Sequence, residues 1–219
     1  MDNQEVDITS KKISAEDLQK KYIDYLLMHD KMPNSVYAFA KSLDINETDF
    51  YFHYNSFKAL EAGIWGDWFK KTTDVLNNDP AYPPYTVREK LLAFYYSWLE
   101  VLKPNRSFVL TKFATVAPSE MKPPFIKSLK DHFDNYINEL LLEGKDSSEV
   151  ADRPFSGQYD KGFWMQFMFL TRFWINDDSK GYEKTDAAIE KSVNFTLDLI
   201  GKGAIDSFID LAKFLYQNK

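Results

Sequence analysis

The chain has 219 residues, of which 44% are hydrophobic and 16% aromatic, including 18 Phe, 13 Tyr and 5 Trp. That length and aromatic content provide for a sizeable core and exclude global disorder. The net charge is −6 and cysteine is absent, so disulfides, thiolate metal sites and a cysteine nucleophile are excluded, and any nucleic-acid role needs a local basic patch.

Residues 1–13 read as a frayed, acidic arm without the apolar run of a secretory signal, which fits a cytoplasmic protein. The longest apolar stretch, Gly162 to Ile175, contains Gln166 and Arg172 and is too short to span a bilayer, so no membrane span is expected. Ser14 followed by Glu16 and Asp17 marks a helix start, and Leu18, Tyr22 and Leu26 repeat at helical spacing. Lys31-Met32-Pro33-Asn34 ends that helix. Asn34 or Ser35 caps a second, short helix with Val36, Phe39, Ala40 and Leu43 on its apolar face. Asp44 sits where the chain must turn. A third short helix follows Ile45-Asn46-Glu47 and carries Phe50, Tyr51 and Tyr54. Asn55-Ser56 caps a fourth, from Phe57 to about Leu76, and Asn77 to Pro84 forms a boundary.

Longer helices are then predicted. They cover Val87 to Leu102, Asn105 to Val116 and Phe125 to Glu143, the last with apolar residues at i, i+3, i+4 and i+7. Residues 144–158 are polar, contain Gly and Pro, and read as a loop. Three further helices are expected at Tyr159 to Ile175, Asp186 to Ile200 and Ala204 to Tyr216, with Thr185 or Asp186 capping the second. No strand alternation persists. The expected fold is therefore all-α, with an N-terminal three-helix helix-turn-helix unit over about 1–65 and a larger C-terminal helical bundle over 66–219.

Three short helices followed by a long one match the helix-turn-helix plan, in which the second helix of the motif enters the major groove. The run from Asn34 to Leu60 resembles the N-terminal signature of the TetR-repressor family. Its most specific part is the aromatic-His-aromatic ending Phe52-His53-Tyr54. The family's usual turn glycine is Asp44 here, and Asp tolerates the left-handed conformation. The resemblance implies a TetR-like homodimer that reads DNA with this motif. It assigns DNA contacts to Thr48, Tyr51, His53 and Lys58.

Local charge opposes that role. Residues 1–60 hold seven lysines, no arginine and ten acids, a net of −3, and Glu47 and Asp49 fall on the recognition helix. Phosphate neutralisation by basic residues supplies most generic DNA affinity.

The segment Trp164 to Trp174 is apolar on more than one face, as in a helix buried on several sides. Such a helix can serve a core, a ligand and a second subunit together. An apolar small-molecule or lipid ligand is expected in the C-terminal domain, surrounded by Tyr95, Trp98, Phe113, Phe133, Tyr136, Trp164, Phe167 and Met168. The helices near 159–176 and 186–200 are expected to pair with their two-fold mates. The segment from Phe173 to Asp186 also resembles part of the TetR-fold lipid-binding accessory proteins of coenzyme Q biosynthesis. That likeness implies a second reading, a TetR-fold protein that binds an apolar ligand and has lost DNA binding. Asp177 and Asp178 are expected to lie in a solvated turn.

Enzyme chemistry is not expected. His29, His53 and His132 share no metal-ligand spacing, and no phosphate loop or nucleophile elbow occurs. No cofactor and no metal are expected.

Overall fold

The computed structural model describes residues 13–151 and 158–201. The expected arm at 1–13, all but Ile13, and the expected helix at 204–216 lie outside the described residues, as do residues 152–157 of the expected loop. The described residues are all-α, with no strand among them and no helix long and apolar enough to cross a membrane. The chain divides into two compact units, 1–64 and 65–219.

The first unit contains α1 (Ala15–His29), α2 (Val36–Ser42), α3 (Glu47–His53) and the first turns of α4 (Phe57–Asn77). Short polar side chains set its helix starts, because they satisfy the donors a first turn leaves open. Ser14 Oγ accepts from the Asp17 amide at 3.0 Å, and Ser35 Oγ accepts from the Ala38 amide at 3.1 Å. Ser56 Oγ does the same for Ala59 at the head of α4. The turn between α2 and α3 places Asp44 at φ +54°, the left-handed conformation expected of it.

Tyr22 of α1, Phe39 of α2 and Phe50 of α3 are fully buried, and Phe57 at the head of α4 meets all three rings at 5.3–5.7 Å. Burying each such ring is worth about 2 kcal/mol, so the four rings together hold three short helices that could not stand alone. Two polar links cross the same interior. The Tyr22 hydroxyl donates to Glu61 at 2.6 Å, and Gln19 Nε2 donates to the Tyr54 hydroxyl at 2.6 Å. Gly63 belongs here by close approach, since a Cβ there would lie 2.8 Å from the Tyr54 ring.

The second unit contains the rest of α4, then α5 (Val87–Leu102), α6 (Arg106–Phe113), α7 (Lys127–Asp146), α8 (Tyr159–Ile175) and α9 (Glu183–Ile200). Helix α5 packs on α7 and α9, and α8 packs on the same two. A reciprocal cap starts α5: Glu89 accepts from the Thr86 amide at 2.8 Å, and Thr86 Oγ1 accepts from the Glu89 amide at 3.3 Å.

Three expected boundaries move. Helix α6 ends at Phe113, three residues short, in turns that precede Pro118. Helix α7 runs to Asp146, past Gly144, which sequence placed in a loop. Gly144 lies inside the helix because Val150 folds back against it; a Cβ there would lie 2.5 Å from Val150 Cγ2. Helix α9 starts at Glu183, so Thr185 and Asp186 are not its cap. Thr185 is buried within the first turn instead, and both its amide and its hydroxyl donate to Asp177, at 2.9 and 2.6 Å.

Asp177 is therefore not solvated as expected, although Asp178 is exposed. Asp177 also accepts from the Ser179 amide and hydroxyl at 2.8 and 2.6 Å. Burial pushes its carboxyl up, but these four donors outweigh burial and hold it well below the usual carboxylate range. Arg106 closes the other side of this corner. It donates to the carbonyls of Trp174, Ile175 and Asp177 at 2.9, 3.0 and 3.3 Å. Its guanidinium lies 4.6 Å from the Trp174 ring centre and 5.0 Å from that of Tyr182. The last two carbonyls of α8, those of Trp174 and Ile175, thus accept from a cation suited to a helix C-terminus, while the Asn176 amide takes those of Arg172 and Phe173.

Candidate functional site

Helix α3 presents Thr48, Tyr51 and Phe52 outward, and Lys58 is exposed on the first turn of α4. Phe52 is 75% exposed; sequence reasoning used it only as a family marker, because an aromatic in a seven-residue helix reads equally well as core. His53 is placed differently. Its Nε2 lies 2.8 Å from the Ile13 carbonyl, so the ring is engaged with the chain just before α1.

The two acids on α3 have local work. Asp49 accepts from the Asn46 amide at 2.9 Å and so closes the helix start. Partial desolvation and the adjacent Glu47 carboxylate push the Tyr51 hydroxyl up. The negative charge thus remains on the helix, but Asp49 is half-buried and tied back to the backbone.

In the second unit, five of the eight ligand candidates meet in one aromatic cluster. The Phe167 ring centre lies 4.8 Å from Phe133, 5.2 Å from Trp164, 5.5 Å from Trp98 and 6.5 Å from Tyr95. Met168 is fully buried. Phe113 sits apart from that cluster, beside Trp65 and Phe125 at 5.9 and 5.5 Å. These rings pack against one another as core.

Tyr136 lines an open cleft of about 300 Å³ between α4 and α7. Its other walls are residues that the sequence did not mark for ligand binding, among them Phe69, Leu76, Tyr82, Lys90, His132, Glu139 and Glu143. Phe69 and His132 stack at 5.8 Å, and the Tyr82 and Tyr136 hydroxyls are 2.9 Å apart. Lys90 is buried, pairs with Glu143, and stands 5.6 Å from the Tyr82 ring centre. No sequence signal gathers these residues, since they come from three helices, α4, α5 and α7, and a Pro-rich connection.

A family model described as "Tetracyclin repressor-like, C-terminal domain" matches residues 90–215. The chain belongs to the TetR-like family. Among solved structures, the TetR-like fold is shared with the fatty acid degradation regulator FadR from Bacillus halodurans, at a TM-score of 0.59 and 14% identity over 84% of this chain and 94% of that one. A protein of Shewanella sp. PV-4, described as a TetR-family transcription regulator, matches at a TM-score of 0.58 and 12% identity over 85% of this chain and 97% of that one. At such identities the likeness is one of fold. No curated protein sequence matches this TetR-like chain.

Proposed function

We propose that this TetR-like protein is a ligand-responsive transcriptional regulator that acts in the cytoplasm, reads DNA as a homodimer through α3, and takes a small molecule with an apolar body in its second unit. The observation that carries the reading is the outward face of α3 in a helix-turn-helix unit of a TetR-like chain. Thr48 and Tyr51 offer hydroxyls to bases or phosphates, Lys58 offers a cation to phosphate, and Phe52 suits the methyl group of thymine.

Dimerisation is supported by apolar side chains left outward on α8 and α9. Met165 and Phe169, one turn apart on α8, are 63% and 51% exposed, and Phe195 on α9 is 68% exposed. Exposed apolar patches of this kind mark interaction surfaces, and closed two-fold dimers are the commonest assembly. Ligand response is supported by connectivity. Helix α4 is shared by both units, so a ligand that grips its second half biases the rod to which the reading head is joined.

The test is a gel shift with genomic fragments from around the protein's own gene, at low and at moderate salt. A discrete band that survives moderate salt is expected. Its absence at both salts overturns the reading and favours the second one, an apolar-ligand binder without DNA binding. The net −3 of residues 1–60 favours that alternative. It requires co-purifying apolar material, detected by mass spectrometry of an organic extract.

A further inference from the structure

The α4–α7 cleft has a floor of aromatic and aliphatic side chains and a charged rim. Phe69, Tyr82 and Tyr136 supply three ring faces or edges within one opening of about 300 Å³, a volume at the lower end for small-molecule sites. The rim carries Glu139 and Glu143 against one ammonium, Lys90. Glu143 is already paired with Lys90. Glu139 is exposed, and the positions three and four residues away on its helix are Tyr136, Leu142, Asn135 and Glu143. No basic side chain therefore stands within one turn of it on α7, and the nearest like charge reinforces it. His132 also stands on the cleft wall, with its ring stacked on Phe69.

We infer that this cleft selects organic cations, of the type of a quaternary or tertiary ammonium on an apolar body. The inference rests on the reading of this unit as ligand-binding and names the class of ligand. Ring faces attract cations through their quadrupole, and weakly hydrated ammonium groups gain most. The cleft already shows this chemistry once, in the Lys90 ammonium held near the Tyr82 ring. Tyr136 does not add an anion: burial, and then the neighbouring Tyr82, push its hydroxyl well above the ordinary phenol range. The surplus carboxylate stands at the mouth of the cleft and biases the local potential toward cations, and an anionic ligand would meet Glu139 and Glu143 before it met the buried Lys90.

The experiment uses the full chain and three probes of one shape: (3-phenylpropyl)trimethylammonium, its neutral tert-butyl isostere, and 4-phenylbutyrate. Binding is followed by calorimetry in salt of about 0.15 M, to screen the chain's overall negative charge. NMR signals of His132 and Tyr136 locate the site. The ammonium is expected to bind about tenfold more tightly than either other probe and to shift both signals. Glu139→Gln, at an exposed position, is expected to lower ammonium affinity several-fold and leave the neutral probe unchanged.

Equal or tighter binding of the neutral or anionic probe overturns the inference. So does ammonium binding that leaves His132 and Tyr136 unmoved, or failure of all three probes at millimolar concentration. The gel shift stands apart: if the ammonium binds the cleft but no operator is bound, the regulator reading fails and the cation site stands.

Discussion

His53 Nε2 lies 2.8 Å from the carbonyl oxygen of Ile13, forty residues earlier in the chain. A carbonyl can only accept, so the proton is on Nε2 and the ring holds the entry to α1. His53 therefore acts first on structure. His53→Ala should lower the unfolding free energy by about 1 kcal/mol, read by urea denaturation, and speed amide exchange in the first turn of α1. Unchanged stability would contradict this role.

Lys58 is exposed on the first turn of α4. If it neutralises a phosphate, Lys58→Ala weakens binding about equally at every DNA sequence and reduces the salt slope by about one. Phe52→Ala should instead relax base preference with little change in that slope. Titration of an operator and a scrambled fragment over a range of salt separates the two behaviours.

The acids of α3 should divide. Asp49 closes the helix start through the Asn46 amide, so Asp49→Ala should cost about 1 kcal/mol of stability. Glu47 carries charge without that duty, so Glu47→Lys should raise non-specific DNA affinity in a salt-sensitive way and leave stability nearly unchanged. If Asp49→Ala is neutral in a denaturation series, the capping role is wrong.

Asp177 links stability to acid pH. Its carboxyl is held below its unfolded value of about 3.9 by Ser179 and Thr185, against burial. A depressed folded pKa contributes stability that is fully present above the unfolded value and is lost as pH falls through the folded one. Stability should therefore decline below about pH 4, and Asp177→Asn should flatten that decline. Parallel urea midpoints for the two proteins from pH 6 to pH 3 would rule the linkage out.

Arg106 meets three carbonyls and two rings around the end of α8. Lysine keeps the charge but loses the planar fork, so Arg106→Lys should lower the unfolding free energy by about 2 kcal/mol. A fully stable Lys variant would show that charge alone suffices.

The sequence by itself determined the helices whose signals are local. The Ser14 cap, the helix starts at Asn34-Ser35 and Asn55-Ser56, the turn at Asp44 and the apolar spacing of α5 and α8 each rest on a few neighbouring residues; the structure makes Ser35 and Ser56 the capping side chains and puts Asp44 in the left-handed region. Charge was legible as a count, but not as an arrangement. The sequence shows Asp49 only as an acid on the recognition helix and His53 only as a candidate contact; that Asp49 also accepts from the Asn46 amide and that His53 also meets the Ile13 carbonyl is visible only in the structure. Hydrophobicity placed Trp98, Phe133, Trp164 and Phe167 in the interior, yet it could not separate a ring that packs from a ring that lines a cleft. Tertiary structure decided that. Phe69, Tyr82, Lys90, Tyr136 and Glu139 stand up to seventy residues apart in sequence, and only the packing of α7 beside α4 gathers them into one opening. The same holds for Gly144 and Thr185, which read locally as loop and cap. Burial against Val150 and hydrogen bonds to Asp177 override those preferences, because contacts made across the fold outweigh the few tenths to about one kcal/mol of intrinsic propensity that local sequence expresses.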